Sequence, residues 1–413
     1  MASLNNLKII GFYDDSRNRA GTVRYLAEII NRLDRGRFVP VFFSPHSFMW
    51  QQELNDIDVE IVTLDKPIVT QTIASSFESV PNIIPQKRTH YRLPQCLAWW
   101  LGYGREIGQL VRLFKKRPVD LMHLNNTGAE AAPIAAKLAG IPRILGTWHV
   151  DSTYDLTGVH STWNYRFLEK QSMKALHRAI AVSDATKQDW LDRCNLDECY
   201  ADRVDIIYNG VDLSRLARRR SKEEAKKALG LNLDTIVIGS LGRLAPEKGY
   251  EYLIQAMPDI LRQEPHAVVL IAGRGPLEAS LKKLAVQLGV SESIHFVGFC
   301  EDVRDVLEAI DIYVQPSLCE AHCISILEAM AFSLPLIVSD AGGNAESVMN
   351  GNTGLVIPKH DSMELAKALI SLIDNPELCH RMGAAGACRV QEHFTSERMA
   401  TKTTAIYERM LKG

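Results

Sequence analysis

The sequence predicts an α/β protein built of two units, each a doubly wound parallel sheet covered by helices. Three observations carry that prediction. Short apolar runs alternate with amphipathic helical segments along most of the chain, the pattern of a parallel sheet covered on both faces. The alternation stops at a basic, polar segment, 218–227, and then starts over with a fresh strand, turn and helix. A length of 413 residues also suffices for two cores of ordinary size.

In the first half, Leu7–Phe12 (LKIIGF) reads as a buried strand. A polar turn ending at Gly21 follows, then a helix from about Thr22 to Leu33 with Leu26, Ala27, Ile30 and Leu33 on one face. Strand, turn and helix open a doubly wound unit, but GxGxxG is absent, so this is not a dinucleotide fingerprint. Val39–Ser44 is the second strand, and 67–94 is irregular, with Lys87, Arg88, His90 and Arg92 clustered. A helix over Cys96–Lys116 carries Leu97, Trp100, Leu101, Ile107, Leu110, Val111 and Phe114 at helical spacing, opposite Arg105, Arg112, Lys115 and Lys116. That basic face suits solvent or an anionic lipid surface, and solvent is the commoner partner. Strands at Leu121–Asn125, Arg143–His149 and Ala179–Ser183 then alternate with helices at Ala129–Ala139, Asn164–His177 and Asp184–Arg193. Ligands of such sheets sit beyond the carboxyl ends of the strands, which singles out His149, with Asp151 two residues on. Strand Val204–Tyr208 leads into NGVD, where Asn209-Gly210 reads as a turn and hinge. The boundary accordingly falls near residue 212.

The second half opens with strand Thr235–Leu241 and GRLAPEKG. Arg243 stands at the strand's carboxyl end, and Lys248-Gly249 opens a helix to about Arg262. This is not a Walker loop, yet two cations converging on a helix N-terminus make a diphosphate clamp. Strand Ala267–Gly273 turns at Arg274-Gly275-Pro276, placing Arg274 near a nucleotide. Phe296–Phe299 is either a base pocket wall or a plain buried strand. The segment Gln315–Gly343 dominates this half. Its helix, about Cys323–Ser333, is apolar nearly all round and so should be buried, yet it carries Glu328, with Ser325 on the same face. A buried carboxylate needs partners, so Glu328 is either a core ion pair or part of a ligand-facing stripe. The N–H groups around His322, Cys323 and Ile324 offer an anion site. Glu320 lies in the preceding loop and should reach a different part of the same ligand, a sugar joined to a phosphate. Strands Leu336–Ser339 and Gly354–Pro358 flank Gly342-Gly343 and a short helix at Asn344–Met349; helices at Ser362–Ile373, Pro376–Val390 and Ser396–Met410 end the chain.

Composition narrows the class. Hydrophobic content of 46%, charged content of 23% and a net charge of −2 describe an ordinary globular protein with no nucleic-acid signal. The start, MASLNNLKII, lacks the features of a signal peptide, and no run of about 18 apolar residues appears. Eight cysteines without a CxxC pair or a complementary ligand set predict reduced thiols, no zinc and a cytoplasmic location.

Glu320, Glu328, the AMA that follows, Pro335 and Gly342-Gly343 together resemble the signature of retaining glycosyltransferases of the family 4 type, whose fold is GT-B, two facing Rossmann-like domains with an interdomain cleft. The resemblance runs from about residue 7 to 395. It implies an acceptor-binding domain at 1–212, a nucleotide-sugar domain at 213–395, and a last helix, 396–413, returning to the first domain. It assigns Arg243 and Lys248 to the donor pyrophosphate, Glu320 to sugar hydroxyls, Glu328 to the ribose diol, and His149 to the transferred sugar. It places Gly21 by the donor phosphates, although Ala20-Gly21 is only half the usual glycine pair. Ala321-His322-Cys323 replaces the usual Gly-Phe-Gly. The implied reaction moves a hexosyl group from a nucleoside-diphosphate sugar, UDP before GDP, to a small-molecule, glycan or lipid-linked hydroxyl, without a metal or other cofactor. Two further readings fit: a nucleotide-sugar epimerase on the same fold, and a binding protein that turns nothing over.

Overall fold

The computed structural model describes residues 7–14, 21–44, 58–64, 93–125, 131–149 and 163–412. The chain divides into an N-terminal unit, Met1–Tyr208 with Ser396–Gly413, and a C-terminal unit, Asn209–Thr395. Each is a parallel α/β domain.

The N-terminal unit has seven strands: β1 (Lys8–Tyr13), β2 (Phe38–Ser44), β3 (Glu60–Thr63), β4 (Leu121–Leu124), β5 (Ile144–Trp148), β6 (Arg178–Ala181) and β7 (Val204–Ile206). All pair in parallel, in the order β3-β2-β1-β4-β5-β6-β7. The order reverses between β1 and β4, the position where ligands of doubly wound sheets bind. Every residue of β4 and β5 is buried, which explains why both are mainly apolar, and the two polar residues among them, His123 and Thr147, bond to each other. Strand β3 is an addition to the sequence reading. It lies at the sheet edge and buries only Val62, too little for an apolar run to betray it.

Separate apolar clusters cover the two faces of this sheet. One of them is completed by the last helix, Ser396–Lys412, whose Met399, Ala400, Thr403, Ile406, Tyr407 and Met410 are buried at helical spacing. Arg32–Glu397 (2.9 Å), Arg37–Glu408 (2.6 Å) and Arg409–Asp205 (2.8 Å) pin its polar flanks. The basic helix spans Leu93–Lys115. Leu110, Leu113 and Phe114 are buried, but Trp100 and Leu101, read as part of the same apolar face, are 37% and 67% exposed. Tyr103, Ile107 and Val111, further along the helix, pack against the core cluster. Among the described residues, no helix is long and apolar enough to cross a membrane.

The C-terminal unit has six strands: β8 (Val237–Leu241), β9 (Val268–Ala272), β10 (Ile294–Gly298), β11 (Ile312–Gln315), β12 (Leu336–Ser339) and β13 (Leu355–Ile357). They are all parallel, in the order β10-β9-β8-β11-β12-β13, and the reversal falls between β8 and β11. The basic, polar segment 218–227 runs into a helix, Lys222–Ala228, opened by a Ser221–Glu224 capping box. Its charges are structural. Lys226, 6% exposed, reaches Asp311 at 2.9 Å and the Thr235 carbonyl at 2.7 Å. Helix Glu278–Gln287 buries only Leu281 and Ala285, a stripe too thin to read from sequence.

Candidate active site

The most organised polar site of the C-terminal unit lies at its switch point. After β8 the chain passes through Gly242 and Arg243 to a 3₁₀ turn, Pro246–Lys248, and enters helix Tyr250–Gln263 at Gly249. Gly249 has φ +61°, and a Cβ there would stand 2.2 Å from the Pro316 carbonyl oxygen, so only glycine lets this loop approach the one after β11. Gly273 does the same for the next loop, its Cβ position lying 1.8 Å from the Gly242 oxygen. Three loops are thereby drawn together beyond the strand ends.

Into this junction points Lys248, whose Nζ donates to Glu320 Oε1 at 2.5 Å. Burial, the largest single influence, would lower the lysine pKa, but the Glu320 charge, its hydrogen bond and the neighbouring Cys323 and Tyr250 together outweigh it; the net shift is upward and the ammonium stays charged. Ser317 Oγ donates to the same oxygen at 2.8 Å, and Gln315 Nε2 donates to Ser317 Oγ at 2.8 Å. Beneath them Tyr313 donates to Gln315 Oε1 at 2.8 Å, and Ser325 Oγ reaches the Leu241 carbonyl at 3.2 Å. The result is a continuous buried network that fixes the Lys248–Glu320 pair to β8 and β11. Arg243 is held by Glu247 at 2.5 Å, with its guanidinium end largely exposed. Arg274 is also exposed, and its carbonyl accepts from Leu244 N at 3.0 Å, which ties its loop to that of Arg243.

Helix Ile324–Ala331 begins beside Glu320. Cys323 is its N-cap residue and makes no side-chain cap, so the first N–H groups face forward without one. The Cys323 thiol is pushed up to about 11 by burial and the Glu320 charge, which keeps it protonated and unreactive at neutral pH. Glu328 is 6% exposed in the middle of this helix. Arg243, Lys248, Glu320, His322, Cys323, Ile324 and Glu328, singled out in the sequence, all lie in the C-terminal unit, and Lys248 and Glu320 are in direct contact. The sequence reading missed Gln315, Ser317 and Glu247, which hold them. The signal for Ser317 was its position beyond the end of β11.

In the N-terminal unit His149 follows β5. Its Nε2 lies 2.7 Å from Asn125 Oδ1, and Asn125 Nδ2 donates to Asp14 Oδ2 at 2.6 Å. The asparagine's orientation makes Nε2 the protonated nitrogen and leaves a lone pair on Nδ1. Burial lowers the His149 pKa to about 3, and its ring meets Tyr25 edge-on at 4.6 Å. Asp14, Asn125 and His149 follow β1, β4 and β5, so this triplet surrounds the switch point of its own sheet. Asp14 and Asn125 escaped the sequence reading, although both end strands. Gly21 is the first residue of helix Gly21–Asn31. Asp151 lies outside the described residues.

Two other histidines are deeply buried. His123 lies between Tyr407 (2.6 Å) and Thr147 (2.5 Å) in the N-terminal unit, and His322 is 5% exposed in the C-terminal unit. Burial lowers each from 6.5 to about 3. Because the folded values lie below the unfolded one, the unfolded chain takes up protons first. The stabilisation is therefore complete above about pH 6.5 and is lost as pH falls toward 3. Each histidine should remove about 2 kcal/mol of unfolding free energy between pH 7 and pH 5. Urea melts at the two pH values check this, and a His123→Gln protein should show a flatter profile in its N-terminal unit.

Comparison with known proteins places the chain in a family. The family profile "Glycosyl transferases group 1" matches residues 221–389, and "Glycosyltransferase Family 4" matches 20–215. The chain is 30% identical over 315 residues to a GDP-mannose-dependent monoacylated α-(1-6)-phosphatidylinositol monomannoside mannosyltransferase of Corynebacterium glutamicum, covering 72% of this chain and 79% of that one. It is 31% identical over 276 residues to the UDP-Gal:α-D-GlcNAc-diphosphoundecaprenol α-1,3-galactosyltransferase of Escherichia coli, covering 65% and 70%. Its fold matches that of Anabaena HepE, crystallised with UDP and glucose, with a TM-score of 0.76 at 19% identity over 97% of this chain and 100% of that one. WaaG, a glycosyltransferase of lipopolysaccharide biosynthesis, matches with a TM-score of 0.68 at 14% identity, over 96% and 99%. The fold and these matches define a GT-B glycosyltransferase. The chain belongs to the family 4 type, glycosyl transferases group 1.

Proposed function

We propose that this protein transfers a hexosyl group from a nucleoside-diphosphate sugar to an acceptor hydroxyl with retention of anomeric configuration and without a metal. The reading rests above all on Lys248, a charged, largely buried ammonium fixed beside the N-terminus of helix Ile324–Ala331. A cation and a set of helix N–H groups at one place suit a diphosphate leaving group, whose developing charge is the main catalytic burden. Arg243, exposed and paired with Glu247, adds the second positive charge, and Arg274 lies in the adjoining loop. Glu320 holds sugar hydroxyls, and Glu328 the ribose diol. In the reaction the acceptor oxygen bonds to the anomeric carbon as the bond to the diphosphate breaks on the same face. The hydroxyl proton leaves on the departing phosphate oxygen. His149, neutral and with its Nδ1 lone pair free of the Asn125 bond, contacts the transferred sugar, and Gly21 and Asp151 contribute to the N-terminal side.

UDP is the proposed base carrier, supported by the UDP named for HepE and for the Escherichia coli relative; GDP, named for the Corynebacterium relative, is the competitor. Both relatives' names specify lipid-linked acceptors, which favours a glycan or lipid-linked acceptor here. Calorimetric titration of the intact protein with UDP and with GDP, in EDTA, tests the donor. Saturable binding of UDP, tighter than that of GDP, is expected. Binding of neither nucleotide would sink the proposal, and binding that requires added Mg²⁺ would remove its metal-independent part.

A further inference from the structure

His322 sits between Glu320 and the helix that follows, and separate parts of the C-terminal unit converge on it. Asn209 Nδ2 donates to its carbonyl at 2.9 Å. Its ring Nε2 lies 3.1 Å from Ser347 Oγ, and the ring packs against Phe394 with centroids 5.4 Å apart. Arg389 completes the knot. It donates to the carbonyls of Ser347 and Glu346, both at 2.8 Å, and its guanidinium lies 5.3 Å from the Phe394 ring centre. All of this is internal, with Asn209 at 4% exposure, His322 at 5% and Phe394 at 1%.

Asn209 and Phe394 are not arbitrary neighbours. The chain leaves the N-terminal unit after Tyr208 and returns to it at Ser396, so they flank its two crossings. The crossing segments are themselves joined. Val211 N donates to the Phe394 carbonyl at 2.9 Å, and Val211 bridges to Thr395. On the other side of His322, the Glu320 carbonyl accepts from Gly343 N at 3.0 Å while its carboxylate holds Lys248. Direct contacts therefore run from both crossings to His322, and the chain itself, through Ala321, carries the path on to the Lys248–Glu320 pair. Asn209, read from sequence as a plain turn and hinge, is a buried donor within that path.

We propose that His322 is a positioning residue that ties the paired crossing segments to Glu320 and Lys248, so that the geometry of the donor site depends on those segments. The inference rests on the donor-site reading above. A residue that only filled the core would change stability and leave nucleotide affinity alone.

The test uses the full chain, with UDP and GDP titrated into the intact protein and into Asn209→Ala, Ser347→Ala, His322→Ala and His322→Gln, alongside thermal melts. Asn209→Ala and His322→Ala should weaken nucleotide binding roughly five- to tenfold, the scale of one lost buried hydrogen bond. His322→Gln, whose amide can still reach Ser347, should recover most of the loss. If His322→Ala does not fold, Asn209→Ala decides, because it alters only the partner of the His322 carbonyl. Affinities equal to that of the intact protein in every folded variant, with lowered melting temperatures, would overturn this inference and leave the donor reading intact. Failure of the intact protein to bind either nucleotide would overturn both.

Discussion

Lys248→Ala is expected to weaken nucleoside-diphosphate binding by at least about a hundredfold, equivalent to about 2.7 kcal/mol. Two effects act in the same direction. The substitution removes the cation placed for the diphosphate, and it uncovers the Glu320 carboxylate, whose side chain is only 11% exposed, where an anion must approach. Breaking a buried pair by deleting one partner typically costs about 3–5 kcal/mol, because the remaining charge stays uncompensated. Ser317 still donates to Glu320, which offsets a part of that penalty. A second change should separate the two effects. Glu320→Gln in the Lys248→Ala background removes the stranded charge and should restore stability more than affinity. Calorimetry with UDP and GDP, run beside urea melts, reads both quantities. Unchanged affinity in Lys248→Ala would show that the diphosphate is held elsewhere.

Ending the chain at Thr395 is expected to abolish the cooperative unfolding transition of the N-terminal unit and spare that of the C-terminal unit. The helix Ser396–Lys412 contributes Met399, Ile406, Tyr407 and Met410 to a core shared with Phe12, Phe38 and Leu26. Four large apolar side chains at about 1.5–3 kcal/mol each amount to about 6–12 kcal/mol, comparable to the whole stability of a typical domain. The loss goes further, since His123 would be left without the Tyr407 hydroxyl in a buried position. The sequence supplies its own reporter. All six tryptophans precede residue 209, and Trp148 stacks on Trp190 at 5.4 Å, so tryptophan fluorescence follows the N-terminal unit alone. A truncated protein with a wild-type fluorescence transition would show that the helix is dispensable to that core.

Much of the fold was legible because a parallel sheet announces itself locally. Strands such as LMHL and LIVS are buried along their whole length and carry no polar alternation. The exceptions share one cause, a shortage of buried apolar surface. Strand β3 buries one residue, helix Glu278–Gln287 buries two, and the helix Lys222–Ala228 looks like a charged linker until Asp311 is seen to hold Lys226. Trp100 and Leu101 err the other way, since helical spacing says which residues share a face and not whether anything covers it.

The sequence by itself determined the two α/β units and the residue types of the candidate site: two cations after β8, two carboxylates around one apolar helix, and a histidine just after β5; the units divide after Tyr208, four residues before the expected boundary. Chemistry at strand ends follows from local pattern, because the strand, its turn and the next helix are contiguous in the chain. Tertiary structure alone decided the partnerships. Lys248 and Glu320 are 72 residues apart, Asn209 and His322 are 113 apart, and His123 and Tyr407 are 284 apart. No local periodicity encodes such contacts. They arise when non-adjacent strands become neighbours at the switch points β1/β4 and β8/β11, and when the last helix is buried against the first sheet.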